Sequence, residues 1–373
     1  MYQLAMEPMQ IIPAEALNGK YADENRPFQG IPTIARTPGG TLMAAWYSGG
    51  VTENGDNFVL LYESRDNGEN WQPVLAVDRP GDKVRAFDPD VWVDPQGRLW
   101  LFWAQCYDCT EYGGGSNHDG RGGVWCIRCD APDTLPRQFS APRRIADGIM
   151  MNKPTVLSDG TWLFPTAVWS CENPPAAEEH PEVSGDRFSN VLATTDGGKT
   201  FTMRGRADVP NREFDEHMIV ERRDGSLWMI VRCFDGIGQA ISYDKGVTWC
   251  REGHSGIPNP NSRSFLRRLR SGNLLLVHHV NFDGRNNLTA RLSMDDGVSW
   301  TPGLLLDERR DVSYPDGTQA EDGSIYIAYD HDRYGEREIL MAKFTEQDIL
   351  AGHIEDPRSR LRIPVSQARG KRG

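Results

Sequence analysis

Long apolar runs are missing from this chain: nowhere in its 373 residues do 18 apolar residues follow one another, so no membrane-spanning helix is indicated. The opening residues, Met1 to Ile12, also lack a basic start followed by an apolar core, so no signal peptide is evident and a cytoplasmic protein is the default expectation. Positive charge is scarce as well. The chain has 41 Lys and Arg against 53 Asp and Glu, a formal net charge of −12. A nucleic-acid partner needs a basic face to displace phosphate counterions, so that class of partner is excluded. Helical periodicity is nearly absent, and no Asp/Asn-rich loop has calcium-binding spacing. No cofactor is called for. The seven cysteines do hold one suggestive spacing, Cys106-x-x-Cys109 with Cys126-x-x-Cys129, which fits a four-thiolate zinc site. The second pair lies in an expected strand, where residues three apart face opposite ways, so reduced thiols or one disulfide are the competing reading.

What the chain does have is one pattern in four copies: Ser/Thr-x-Asp-x-Gly-x-x-aromatic, at Ser64–Trp71, Thr194–Phe201, Ser242–Trp249 and Ser293–Trp300. The last three recur about every 50 residues, the spacing of an array in which each unit is one four-stranded sheet. The Asp can bond turn amides, the Gly permits positive φ, and the aromatic buries the hairpin against its neighbour. Between the boxes, short apolar strands alternate with turns at Pro38-Gly39-Gly40, Asp94–Gly97, Ser158-Asp159-Gly160, Arg223-Asp224-Gly225, Arg270-Ser271-Gly272 and Glu321-Asp322-Gly323. These make six hairpins and hence six blades. The expected fold is an all-β, six-bladed β-propeller of four-stranded antiparallel blades, one domain over residues 1–373. In this reading a strand from Tyr2 to Ile12 closes the last blade, leaving residues 352–373 as a tail.

That topology gathers two sets of positions on one rim: the start of each first strand, and the loops joining second to third strands. Far apart in sequence, they converge around the central channel, where a propeller can build a pocket. The first set contains Gln29, Asp88, Lys153, Glu216 with His217, Arg263 and Tyr314. The second contains Tyr47 with Glu53 and Asp56, then Asp119, Trp169, Arg232, Arg285 and Arg333. Each has a structural alternative: the arginines as cross-blade ion pairs, Tyr314 as a packing aromatic before Pro315, Lys153 and His217 as satisfied residues.

The boxes are Asp boxes, and with the rim pattern the chain resembles the sialidase superfamily of β-propellers. The stretch Phe214-Asp-Glu216 through Arg232 is similar to that family's segment carrying a glutamate and an arginine. Asp283-Gly-Arg285 is similar to the segment with a further arginine, and Tyr314 falls where the family's tyrosine nucleophile sits. The resemblance implies Tyr314 as nucleophile, Glu216 as its partner, and Arg232 and Arg285 on a substrate carboxylate. Two positions depart from it. The family's Arg-Ile-Pro stands here as Gln29-Gly30-Ile31-Pro32, and Tyr47 stands where an acid/base aspartate is expected.

The retained set is coherent chemically. Forked guanidiniums suit a carboxylate, and a phenol becomes a nucleophile when a neighbouring carboxylate takes its proton. Sialidases are an exception to the two-carboxylate rule of glycosidases. Glu53 or Asp56 can fill the acid/base place, with Asp88 and Asp119 next. The resulting expectation is an exo-acting glycoside hydrolase removing a terminal acidic sugar from an oligosaccharide or glycoconjugate. The alternatives are a uronate lyase using Tyr314, His217 or Lys153 as base, and a non-catalytic carbohydrate-binding propeller.

Overall fold

A computed structural model describes residues 2–81, 84–107, 120–169 and 181–371 of the chain. Their strands form six antiparallel sheets, five of four strands and one of five, each built from consecutive segments. This is a six-bladed β-propeller. The strands nearest the axis are Gln29–Arg36, Val84–Val93, Thr155–Val156, Met218–Glu221, Phe265–Arg268 and Val312–Gln319. Because neighbouring blades cover both faces of a blade, inner strands read as continuous apolar runs rather than alternating ones. Leu99–Trp103 and Leu274–Val277 are buried throughout. One short α-helix, Glu346–Ala351, follows the last blade's third strand, with Thr345 as a capping-box residue. No helix among the described residues is long and apolar enough to cross a membrane.

Each Asp box is a self-contained hydrogen-bonded turn. In the first, Ser64 Oγ donates to Asp66 Oδ1 at 2.8 Å and accepts from the Gly68 amide at 2.8 Å, while the Asn70 amide donates to Asp66 Oδ1 at 2.9 Å. Thr194, Ser242 and Ser293 repeat the pattern. The box glycine at 68, 198, 246 and 297 sits at φ between 83° and 94°, the region a side chain avoids. Donors from the residue four positions on hold the Asp66, Asp244 and Asp295 carboxyls down at about 2.

Ring closure differs from the expected arrangement. The N-terminal strand, Gln10–Pro13, pairs with Gln72–Asp78 on the outside of the first blade. The last blade is instead completed by Arg360–Gln367, from the segment read as a tail, paired with Glu338–Phe344. The physical reason is proximity along the chain: the capped helix reverses direction after Phe344, and Gly352, in the left-handed region, ends it. The returning strand therefore lies beside the edge it covers. First and last blades are then joined by side chains. Asp316 Oδ2 accepts from the Thr33 hydroxyl at 2.7 Å and the Ile34 amide at 2.9 Å, and Asp330 Oδ2 accepts from the Ile31 amide at 2.8 Å.

Lys153 belongs to this closure. Its Nζ lies 2.6 Å from Asp316 Oδ2, 3.2 Å from Asp90 Oδ1 and 2.8 Å from the Val91 carbonyl oxygen, almost fully buried. One cation thus ties blade three to blades two and six across the axis. Burial pushes Asp90 up to about 6 even beside Lys153. Lys153→Met leaves two buried carboxyls without their cation, and we expect it to lower the unfolding free energy by about 3–5 kcal/mol in urea titration. The triple variant Lys153→Met/Asp90→Asn/Asp316→Asn is expected to recover most of that loss.

Candidate active site

The rim pocket begins with a backbone device repeated in three blades. Ile31-Pro32, Asp88-Pro89 and Tyr314-Pro315 each sit at a register shift in an innermost strand. In each, the residue before proline has positive φ: 52° at Ile31, 46° at Asp88 and 54° at Tyr314. Proline disfavours the helical region for the residue preceding it, and the bulge turns that side chain out of strand alternation. Blade four reaches the same end differently, with Phe214, Asp215 and Glu216 consecutively at φ 56°, 55° and 44°. Strain of about 1–3 kcal/mol per residue is characteristic of functional sites.

Ile31, Asp88, Glu216 and Tyr314 line one cleft of about 110 Å³ together with Glu53, Arg85, Phe87, Met151, Trp169 and Phe214. A larger cavity of about 670 Å³ lies at the opposite end, walled by hairpin turns such as Thr37–Gly40 and Asp94–Gly97. It has no tyrosine–carboxylate pair; Tyr314 and Glu216 line the smaller cleft. At its base, three groups share one oxygen region. The Tyr314 hydroxyl donates to Glu216 Oε1 at 3.0 Å, and Arg232 Nη1 reaches Glu216 Oε1 at 2.8 Å and the Tyr314 oxygen at 2.9 Å. Burial, then the Glu216 charge, push the Tyr314 phenol up from its ordinary value, so it rests protonated. Arg232 is held cationic by Glu216, Tyr314 and Glu213 against its burial. Arg285 comes within 5.4 Å of the Tyr314 ring centroid and is steadied by the Asn261 carbonyl at 2.9 Å.

The sequence assigned other residues to roles that the geometry redistributes. Gln29 is buried, accepting from Arg26 Nη1 at 2.7 Å and donating to the Arg337 carbonyl at 2.7 Å, and it does not stand in for an arginine. The position corresponding to the family arginine is Gly30, and the space beside it is taken by Arg333. A Cβ on Gly30 would lie 2.6 Å from Arg333 Cδ. The Arg333 guanidinium carbon lies 4.2 Å from the Tyr314 ring centroid and Nε is 2.7 Å from Asp330 Oδ2. The missing glycine side chain is the signal that could have found it. Arg263 is fully buried and touches no pocket space; it donates to the carbonyls of Met151 at 2.7 Å and Tyr314 at 3.0 Å, fixing the bulge that carries the tyrosine.

His217 bonds the Asn190 carbonyl at 2.7 Å, and burial lowers it to about 4. Lys153 is committed to the axis, as above. Two of the three alternative bases of the lyase reading are therefore occupied structurally, leaving Tyr314. Tyr47 is fully buried beneath the cleft, its hydroxyl without a partner, and burial raises it well above its ordinary value. Of the acid/base candidates, Asp56 is on the exposed loop and not in the cleft wall, and Asp119 lies outside the described residues. Glu53 and Asp88 do line the cleft. Glu53 pairs with Arg333 Nη1 at 3.3 Å. Burial is the main reason Asp88 is pushed up to about 8, helped by the charges of Glu53 and Glu216.

The described cysteines of the second pair lie on opposite faces of their sheet. Cys129 packs in the cluster shared with Cys106, whereas Cys126 packs in the one on the other face of the sheet with Trp92 and Phe164. Cys109 is outside the described residues. Among the described residues no three His, Cys, Asp or Glu side chains converge as metal ligands.

A six-bladed propeller with Asp boxes and a Tyr–Glu–Arg cluster in its rim cleft is of the sialidase-like class. The BNR repeat-like domain matches residues 40–327, and the chain belongs to that family. It is 25% identical over 346 residues to a sialidase of Bacteroides fragilis, an alignment taking in 83% of this chain and 61% of that protein. The chain thus spans about 61% of the length of that curated relative. Among solved structures, a Hadza microbial sialidase superposes with TM-score 0.68 at 18% identity, over 89% of this chain and 68% of that one. The Trypanosoma rangeli sialidase in complex with sialic acid does so with TM-score 0.66 at 17% identity, over 87% of this chain and 55% of that one. At those identities the likeness is one of fold.

The Gly30–Arg333 fit can be tested by a double-mutant cycle. Gly30→Ala should cost about 1–3 kcal/mol by overpacking. In an Arg333→Ala background that cost should largely vanish, read by denaturant unfolding of all four proteins.

Proposed function

We propose that the protein is an exo-acting glycoside hydrolase that removes a terminal acidic sugar, sialic acid or a close relative, with retention of configuration. The observation that carries this reading is the triangle of Tyr314, Glu216 and Arg232, within 2.8–3.0 Å of one another and buried in the rim cleft. A phenol held protonated and bonded to a carboxylate is a nucleophile awaiting activation. In the proposed step Tyr314 oxygen attacks the anomeric carbon while Glu216 takes the phenolic proton. Arg232, bonded to both oxygens, spreads the negative charge. A neutral nucleophile also avoids repelling an anionic sugar. Arg285 and Arg333, both beside the Tyr314 ring, face the substrate carboxylate.

The leaving oxygen needs a proton, and Asp88 is the cleft carboxyl that keeps one at neutral pH. After departure, Asp88 as carboxylate takes a proton from water attacking the glycosyl–tyrosine bond, and Glu216 returns its proton to Tyr314. The Trp169 and Phe214 rings, 4.9 Å apart, supply an apolar wall to the cleft. The 25%-identical sialidase supports the substrate class.

The test is release of sugar from a panel of sialosides and uronides, recording reducing sugar and near-ultraviolet absorbance together. Wild type should release sugar without an absorbing product, and Tyr314→Phe should lose about 10²-fold or more of kcat/KM. An ultraviolet-absorbing product or silence across the panel sinks the hydrolase. A second measurement concerns the acid. Because Asp88 works protonated, kcat/KM should hold below about pH 8 and fall above it. Asp88→Asn should lose about 10²–10⁴-fold on alkyl-linked substrates and far less on a nitrophenyl glycoside, whose leaving group needs no proton. The same selective loss in Glu53→Gln, with Asp88→Asn unaffected, would move the role to Glu53.

A further inference from the structure

One cation in the cleft has no work assigned to it. Arg85 lines the wall contributed by blade two, in the innermost strand opposite Cys106, and is 1% exposed. Its guanidinium carbon lies 4.1 Å from the Phe87 ring centroid and 5.5 Å from that of Tyr47, within cation–π reach of two aromatic rings. Nε, Nη1 and Nη2 are all buried, and none has a hydrogen-bond partner. A guanidinium presents five donors, and leaving them unmet in a dry wall is expensive unless something arrives to meet them.

The arginines around Tyr314 show how different this one is. Arg232 is bonded to Glu216, Tyr314 and Asn261. Arg333 is bonded to Asp330 and Glu53. Arg263 gives both its terminal nitrogens to backbone carbonyls, leaving only Nε unmet. Arg85 feels the Glu53 and Asp88 carboxyls only at a distance and bonds neither. At neutral pH the buried Asp88 is largely protonated, so it does not cancel the Arg85 charge.

We propose that Arg85 receives a second oxyanion, so that the natural ligand carries two negatively charged oxygen groups, one facing the arginines beside Tyr314 and one on the blade-two wall. The two-anion substrate rests on the hydrolase reading above; the anion site at Arg85 does not. The second group is a carboxylate or a sulfate ester, because both offer the paired oxygens a fork engages. The ligand class is therefore a terminal sugar acid with an additional acidic substituent, rather than a sugar with one carboxylate.

Inorganic sulfate is the first probe, titrated calorimetrically into the full chain at low ionic strength. Wild type should bind two sulfates per chain, Arg85→Met one, and Arg285→Met should lose the other. Arg85→Lys should keep both sites with the affected one weakened about 10-fold or more. Arg85→Met should also melt higher than wild type without sulfate, because an unmet buried charge has gone; a purely structural arginine would make the variant melt lower. Identical sulfate binding by wild type and Arg85→Met overturns the proposal, as does a lower melting temperature with both sites kept.

The second arm compares three sugar acids as ligands: N-acetylneuraminic acid, an O-sulfated form, and a form with a second carboxylate. Whichever doubly charged form binds at least 10-fold tighter to wild type but not to Arg85→Met identifies the group, and no preference for either overturns the two-anion substrate. A protein that binds two sulfates yet hydrolyses nothing keeps the Arg85 site and loses the hydrolase. One that hydrolyses sialosides yet binds sulfate identically in wild type and Arg85→Met does the reverse.

Discussion

The site depends on how the ring is closed. No strand from one end of the chain completes the sheet of the other: the last blade takes its outer strand from Arg360–Gln367, and the first carries its own extra strand. What joins them is a seam of side chains, Asp316 to Thr33 and Ile34, Asp330 to Ile31, and Arg26 to Ser366. Lys153 adds a buried cation across the axis. The seam runs through the bulges that present Ile31 and Tyr314, so closing the ring and aiming the tyrosine are one event. Arg263 makes the same point from blade five, by holding the Tyr314 carbonyl.

Three of the bulges carry their device in the sequence, as a residue followed by proline, and the chemistry follows from it. A left-handed residue in a strand turns its side chain toward the channel end, where burial and neighbouring charge can act on it. Asp88 becomes a carboxyl that retains its proton, and Tyr314 a phenol that rests neutral against Glu216. Along regular strands those side chains would alternate into the blade packing and meet neither a ligand nor each other. Strain in the backbone and perturbed titration in the side chains are thus two consequences of one local geometry.

The departures from the family pattern are compensated from places remote in sequence. Gly30 leaves a gap, and Arg333, 303 positions later in the numbering, fills it from the last blade's second-to-third-strand loop. Tyr47, in place of a polar residue, withdraws beneath the cleft and becomes part of the aromatic bed on which Arg85 lies. Two carboxyls line the cleft near it, Glu53 beside Arg333 and Asp88 in the wall. Burial favours the protonated form of Asp88.

The repeat, the six blades and the rim that gathers the cleft residues were legible from the sequence, because Asp boxes and hairpin turns are local: each needs only a few neighbouring residues to form. The sequence also placed Tyr314, Glu216, Arg232 and Arg285, since each lies at a fixed offset from a turn or strand start. It did not reveal which end of the chain closes the last blade, because edge pairing is chosen by proximity in space after the helix at Glu346 reverses the chain. Nor did it separate Lys153, Gln29, Arg263 and His217, which are spent on holding the ring, from Arg333 and Arg85, which reach the cleft. A charged side chain on a rim strand looks the same in sequence whether a carbonyl, a carboxylate or nothing stands opposite, and only the packing of six blades around one axis supplies the partner.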